Sequence, residues 1–131
     1  MNYIYLFLIT FGVFIIIDLI WLGIVARSLY THYIGHHMRS DTRWIAALVF
    51  YALYAVGIIL FAILPSGGEP LAALVVGGAF GFFCYATYEL TNYAVLKRWP
   101  LGIVFIDILW GVVLTASVAG LSTLIARALA L

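Results

Sequence analysis

The 131-residue chain is short of charge. Only 8% of its residues are Asp, Glu, Lys or Arg, against 67% hydrophobic, where soluble domains carry about 25% and about 45–50% respectively. That leaves too little polar surface to clothe a water-soluble globule, and too much apolar surface for a disordered chain. The net charge of +1 provides no electrostatic footprint for nucleic acid. A single cysteine, Cys84, excludes an internal disulfide framework and a Cys-rich metal site. Strand-like alternation is also missing. Runs such as Phe14-Ile15-Ile16-Ile17 are continuous, whereas transmembrane strands alternate over roughly 10 residues. What remains is an all-α polytopic membrane protein.

Four stretches reach the roughly 20 apolar residues that a helix needs to cross a bilayer core: 3–26, 44–64, 71–96 and 101–126. The expected fold is a four-transmembrane-helix bundle forming one domain over 1–131. The first span lacks a basic n-region and a small-x-small site before Arg27, so it is expected to be a membrane helix and not a cleavable signal. Five of the six basic residues fall in the first and third connections: Arg27, Arg39 and Arg43, then Lys97 and Arg98. The positive-inside rule makes those connections cytoplasmic and both termini periplasmic, with Arg127 arguing mildly the other way. Trp44 and Trp99 stand where an interfacial aromatic belt would put them.

Pro65-Ser66-Gly67-Gly68-Glu69-Pro70 and Arg98-Trp99-Pro100 are tight turns, each presetting a helix start with proline. Spans two, three and four are therefore expected to be antiparallel neighbours. In the longer first connection Tyr30, Ile34 and Met38 recur every four residues, which predicts a short helix lying in the headgroups.

The informative residues are acids inside the spans. Asp18 lies nine residues before Arg27, Glu89 eight before Lys97, and Asp107 nine after Arg98. At 1.5 Å per residue each is about 12–14 Å below the same membrane boundary. Three helices of alternating direction thus place carboxyl groups in one layer. An Asp at a span centre costs about 2.5–3.5 kcal/mol on insertion scales, and intramembrane acids are functional by default. No Lys or Arg lies at this depth to neutralise them. Clustered, buried carboxylates do not all ionise cheaply, so at least one of the three, Glu89 or Asp107 first, is expected to be neutral near pH 7.

Each acid has company on its own face. Asp18 is followed at i+3 by Trp21, and Asp107 at i+3 by Trp110 and at i+4 by Gly111. On the third span Gly77, Gly81, Tyr85, Glu89 and Asn92 share one face. The glycine pair permits close backbone approach there, and Tyr88 adds to the polar end. Candidate binding residues are therefore Asp18, Trp21, Tyr85, Tyr88, Glu89, Asn92, Asp107 and Trp110. The structural alternative is that protonated acids serve as interhelical glue to Asn92, Tyr88 or the indoles.

His32, His36 and His37 are weak candidates for a metal box with Asp41. Three histidines are fewer than di-iron membrane enzymes use, and these are expected to face lipid phosphates. No metal or cofactor is expected. Cys84 reads as a small core filler, and Thr115 as bonded to its own helix.

The string Phe82-Phe83-Cys84-Tyr85-Ala86-Thr87-Tyr88-Glu89-Leu90-Thr91-Asn92, followed by Lys97-Arg98-Trp99-Pro100, resembles a bacterial family of small four-span inner-membrane proteins of uncharacterised function (DUF2177-like). The strings Asp18-Leu19-Ile20-Trp21-Leu22-Gly23 and Tyr51-Ala52-Leu53-Tyr54 fit the same pattern, so the likeness covers the whole chain. The family has Asp where Glu89 stands, and a carboxylate is kept either way. The resemblance implies location in the bacterial inner membrane and little chemistry; it favours a lipid-linked role without assigning one. From the residues, three readings stay open: binding or proton- or cation-coupled transport of a small cationic or amphiphilic ligand, by a homodimer among membrane lipids; an intramembrane fatty-acyl-modifying enzyme; or an accessory subunit of a lipid-modification system.

Overall fold

A computed structural model describes residues 2–35 and 43–131. His36, His37, Met38 and Asp41 lie outside the described residues, so the expectations resting on them are not addressed. Helices α1 (Tyr3–Ile20), α2 (Arg27–Ile34), α3 (Trp44–Ile58), α4 (Pro70–Val95) and α5 (Leu101–Ala128) carry the chain, with no strand among the described residues. Four segments are long and apolar enough to cross a membrane: Tyr3–Ile24, Trp44–Ser66, Pro70–Val95 and Leu101–Ala128.

Local chemistry sets the helix ends. Asn2 caps α1, its side-chain oxygen accepting from the backbone N–H groups of Ile4 at 3.1 Å and Tyr5 at 3.3 Å. Pro70 opens α4, where a missing N–H costs nothing. The turn before it reverses through Gly67 (φ 64°) and Gly68 (φ 84°), a conformation that glycine adopts without strain. At the opposite end of the bundle Arg98 adopts the left-handed region (φ 60°), which is costly for a residue with a Cβ.

The first two spans loosen into π-helical turns, Trp21–Ala26 after α1 and Ile59–Ile63 after α3. Such segments are rare and gather at functional sites. The first leads directly into α2, so the opening of the first connection continues the helix. The expected headgroup helix packs inward: Tyr30, Tyr33 and Ile34 lie against Trp99, Ile103 and Val104 of the α4–α5 turn and α5. Gly102 makes this approach possible, since a Cβ there would come within 2.9 Å of the Tyr33 ring. The short helix expected in the first connection is thus present, and its apolar face packs in part on the α4–α5 turn.

Helices α4 and α5 form the tightest pair. A Cβ on Gly77 would meet Ala119 Cβ at 2.7 Å and the Thr115 carbonyl oxygen at 2.9 Å, and one on Gly81 would fall on the Gly111 carbonyl oxygen. Backbone therefore packs on backbone, as small residues allow inside a membrane. The other half of the bundle packs through rings. Phe14 of α1 is fully buried and makes edge contacts with Tyr51 and Tyr54 of α3 at 5.2 and 5.4 Å. Tyr54 also reaches across to Thr115 of α5, oxygen to oxygen 2.7 Å; the Thr115 hydroxyl is thus spent between helices and not on its own backbone.

Candidate functional site

The three intramembrane acids come from α1, α4 and α5, and their side chains all turn inward. Asp18, Glu89 and Asp107 are 8%, 1% and 8% exposed. They line one cavity of about 420 Å³. Their common depth follows from helix rise; their common direction follows from packing. Gly111, one turn beyond Asp107, leaves room for the Tyr85 ring, which occupies the place where a Cβ would stand. Tyr85 thereby enters the cavity beside the acids.

Each carboxyl group has its own aromatic donor. The Tyr51 hydroxyl donates to Asp18 Oδ2 at 2.9 Å. The Tyr30 hydroxyl donates to Asp107 Oδ1 at 2.5 Å. The indole Nε1–H of Trp99 donates to Glu89 Oε2 at 2.7 Å. Burial, followed by the Asp107 carboxyl, pushes the Tyr30 hydroxyl above its ordinary range, so it keeps its proton and remains a donor. Glu89 and Asp107 line the same cavity wall.

Trp21 and Trp110 stack face to face, with ring centroids 4.3 Å apart and planes 9° from parallel. Each indole thus covers one face of the other, and a cation would find only the outer faces. Their Nε1–H groups are buried without a hydrogen-bond partner. The Tyr30 hydroxyl lies near the first and the Asp18 carboxyl near the second, but neither reaches hydrogen-bond geometry. Buried unpaired donors cost about 1–3 kcal/mol each, so the cavity holds hydrogen-bonding capacity that the chain itself does not satisfy.

Seven of the eight expected binding residues line this cavity. The exception is Asn92, which sits a turn below and lies beside the Tyr88 hydroxyl. Five further lining residues were not among the candidates: Leu22, Tyr30, Ile34, Tyr51 and Trp99. Trp99 is 9% exposed, so it is no belt residue; Trp44, 68% exposed, keeps that character. His32 lies outside the cavity, its ring edge-on to Tyr33 at 5.1 Å. Among the described residues no cluster of three or more His, Cys, Asp or Glu converges tightly enough to hold a metal ion. The carboxyl groups share a wall without meeting at a point.

Among the described residues no Lys, Arg or His lines the cavity. Three acids, four phenols and three indoles therefore face a space to which the described residues bring no basic side chain. No curated protein and no solved structure matches the chain. The family described as predicted membrane protein (DUF2177) matches residues 3–124, which cover all but the tip of the four-span bundle, and the chain belongs to that family.

Proposed function

We propose that the protein binds a small cationic or amphiphilic ligand inside the bilayer and couples its binding to proton or cation movement. The observation that carries this reading is the set of three carboxyl groups from three helices around one cavity, with no basic side chain among the described lining residues. A cation or proton is the natural partner of such a site, because an uncompensated carboxylate in a dry interior is expensive. The Tyr and Trp donors fix each carboxyl group's orientation and leave its second oxygen for a ligand.

The Lys/Arg distribution supports bacterial inner-membrane insertion with both termini in the periplasm. The acid layer is then nearer the cytoplasmic side. Four spans are few for enclosing a path, so transport would call for a homodimer.

The test uses purified protein in nonionic detergent with ethylammonium as probe, followed by tryptophan fluorescence. Wild type is expected to respond, and Glu89→Gln and Asp107→Asn to lose the response while remaining monodisperse. Retention of wild-type binding by both variants would overturn the reading. In liposomes, an ethylammonium gradient should move protons through wild type and not through either variant.

One observation favours a second reading, an intramembrane lipid-modifying enzyme. Glu89 and Asp107 line one cavity with different donors, Trp99 and Tyr30, and acids in unlike environments divide into general acid and base. That reading calls for an altered lipid pool on expression. An accessory subunit would change no lipid and move no ion, and would co-purify with a partner.

A further inference from the structure

We propose that the ligand is a single-chain amphiphile with a neutral or cationic hydrogen-bonding head, entering sideways from the bilayer through a cleft between α3 and α4. This deepens the reading of the carboxylate cavity as a binding site and rests on it.

The cleft follows from how the second span packs. Helix α4 runs along α5 and meets the second span chiefly through the π-helical turn Ile59–Ile63, while α3 turns toward α1. Between α3 and the second half of α4 a space of about 540 Å³ opens, lined by Phe50, Tyr54, Cys84, Tyr85, Tyr88 and Asp107. Tyr85, Tyr88 and Asp107 also line the carboxylate cavity, so the two spaces meet at these side chains. Both volumes fall within the roughly 300–1,000 Å³ of ordinary ligand sites.

The mouth faces hydrocarbon. Phe50 and Tyr88, on its two sides, are 49% and 56% exposed. Cys84 lies thirteen residues before Lys97, about 20 Å down the helix at 1.5 Å per residue. At that depth the surroundings are acyl chains and not headgroups or water. Apart from Asp107, the lining offers aromatic rings, a thiol and phenol edges, a surface suited to a hydrocarbon chain.

The inner end selects the head. Carboxyl groups without a base repel a phosphate or carboxylate head and favour a donor. The unpaired indole N–H groups of Trp21 and Trp110 ask for an acceptor. An amine, hydroxyl, amide or amino-alcohol head meets one or both demands. A two-chain phospholipid is disfavoured, since its phosphate would have to leave the interface for the acid layer.

The experiment compares dodecylamine, ethylamine and dodecanoate on the full chain in nonionic detergent, by tryptophan fluorescence and by bimane alkylation of Cys84, the one cysteine. Dodecylamine is expected to bind at least about tenfold more tightly than ethylamine and than dodecanoate, and to slow Cys84 alkylation where ethylamine does not. Asp107→Asn should remove the preference for amine over carboxylate, which plain partitioning into detergent would leave unchanged. Cys84→Trp, which fills the cleft, should weaken dodecylamine and spare ethylamine. Should that variant fail to fold, alkylation of the native thiol still decides. Equal affinity for the two amines with no protection of Cys84 would overturn sideways entry while the binding site stood. Tighter binding of dodecanoate would overturn the head assignment. Absence of binding by either amine would remove both the inference and the site beneath it.

Discussion

Trp21 and Trp110 lie flat against each other, 4.3 Å between centroids, although they belong to antiparallel spans. Each stands three residues after an aspartate, Asp18 and Asp107. The shared Asp-x-x-Trp string therefore meets its counterpart across the cavity. The acid and its indole occupy one helix face, so stacking the indoles also brings the two aspartates to the same wall. The chain has built one side of the site from two copies of a four-residue pattern.

Removing one indole should disturb both halves. Trp110→Leu takes away the stacking partner of Trp21 and opens space against it. Aromatic truncation in a core costs about 3–5 kcal/mol, and a lowered melting temperature in detergent is expected. Near-ultraviolet circular dichroism should lose the signal of the coupled indole pair. A spectrum unchanged in that region would show that the rings do not stack.

The Glu89–Trp99 bond gives a second expectation. Trp99→Phe keeps most of the packing against Tyr88 and removes the N–H that Glu89 accepts. Losing a buried partner of a carboxyl group costs about 1–3 kcal/mol. The carboxyl band of Glu89, identified in infrared difference spectra with Glu89→Gln, should shift. A stable variant with an unmoved band would contradict the bond.

A protonated carboxyl band at pH 7 is expected in wild type, because three buried carboxyl groups line one cavity and clustered, buried carboxylates do not all ionise cheaply. Glu89→Gln and Asp107→Asn imitate the protonated form and should leave folding nearly intact. No protonated band at pH 7 would mean that the layer is held ionised by a bound cation.

Packing of α4 on α5 predicts sharp intolerance at one glycine. Gly81→Leu drives a side chain into the Gly111 carbonyl and the Thr115 side chain. Overpacking of this kind costs about 1–3 kcal/mol or more. Gly12→Ala, with nothing within 4 Å of its added carbon, is the control and should melt with wild type. Equal melting of both variants would refute the close approach.

Reporter fusions at Asn2, Gly35 and Leu131 test the orientation. The basic connections predict periplasmic signals at both ends and a cytoplasmic one at Gly35. A periplasmic signal at Gly35 would reverse the sidedness of the acid layer.

The acid layer was legible because depth in a membrane helix is a count of residues from a charged boundary. The glycine face of α4 was legible because its spacing is local. What stayed hidden were the partners delivered by chain reversals. Trp99 has the composition of a belt residue, and only the left-handed backbone at Arg98 turns its indole back onto Glu89. Tyr30 belongs to a segment that reads as amphipathic; its periodicity identifies an apolar face but not whether lipid or protein will cover it. Tyr51 was part of a recognisable string, yet its hydroxyl meets Asp18 only because α1 and α3 cross at Phe14.

The uneven packing of the bundle sets where it can yield. Along the α4–α5 seam, main chain touches main chain and no side chain is available to swing aside, so the seam is stiff. Along α1 and α3 the contacts are rings, Phe14 against Phe50 and Tyr54. A space-filling change in the interior is therefore expected to displace the second span before it displaces the helices bearing Glu89 and Asp107.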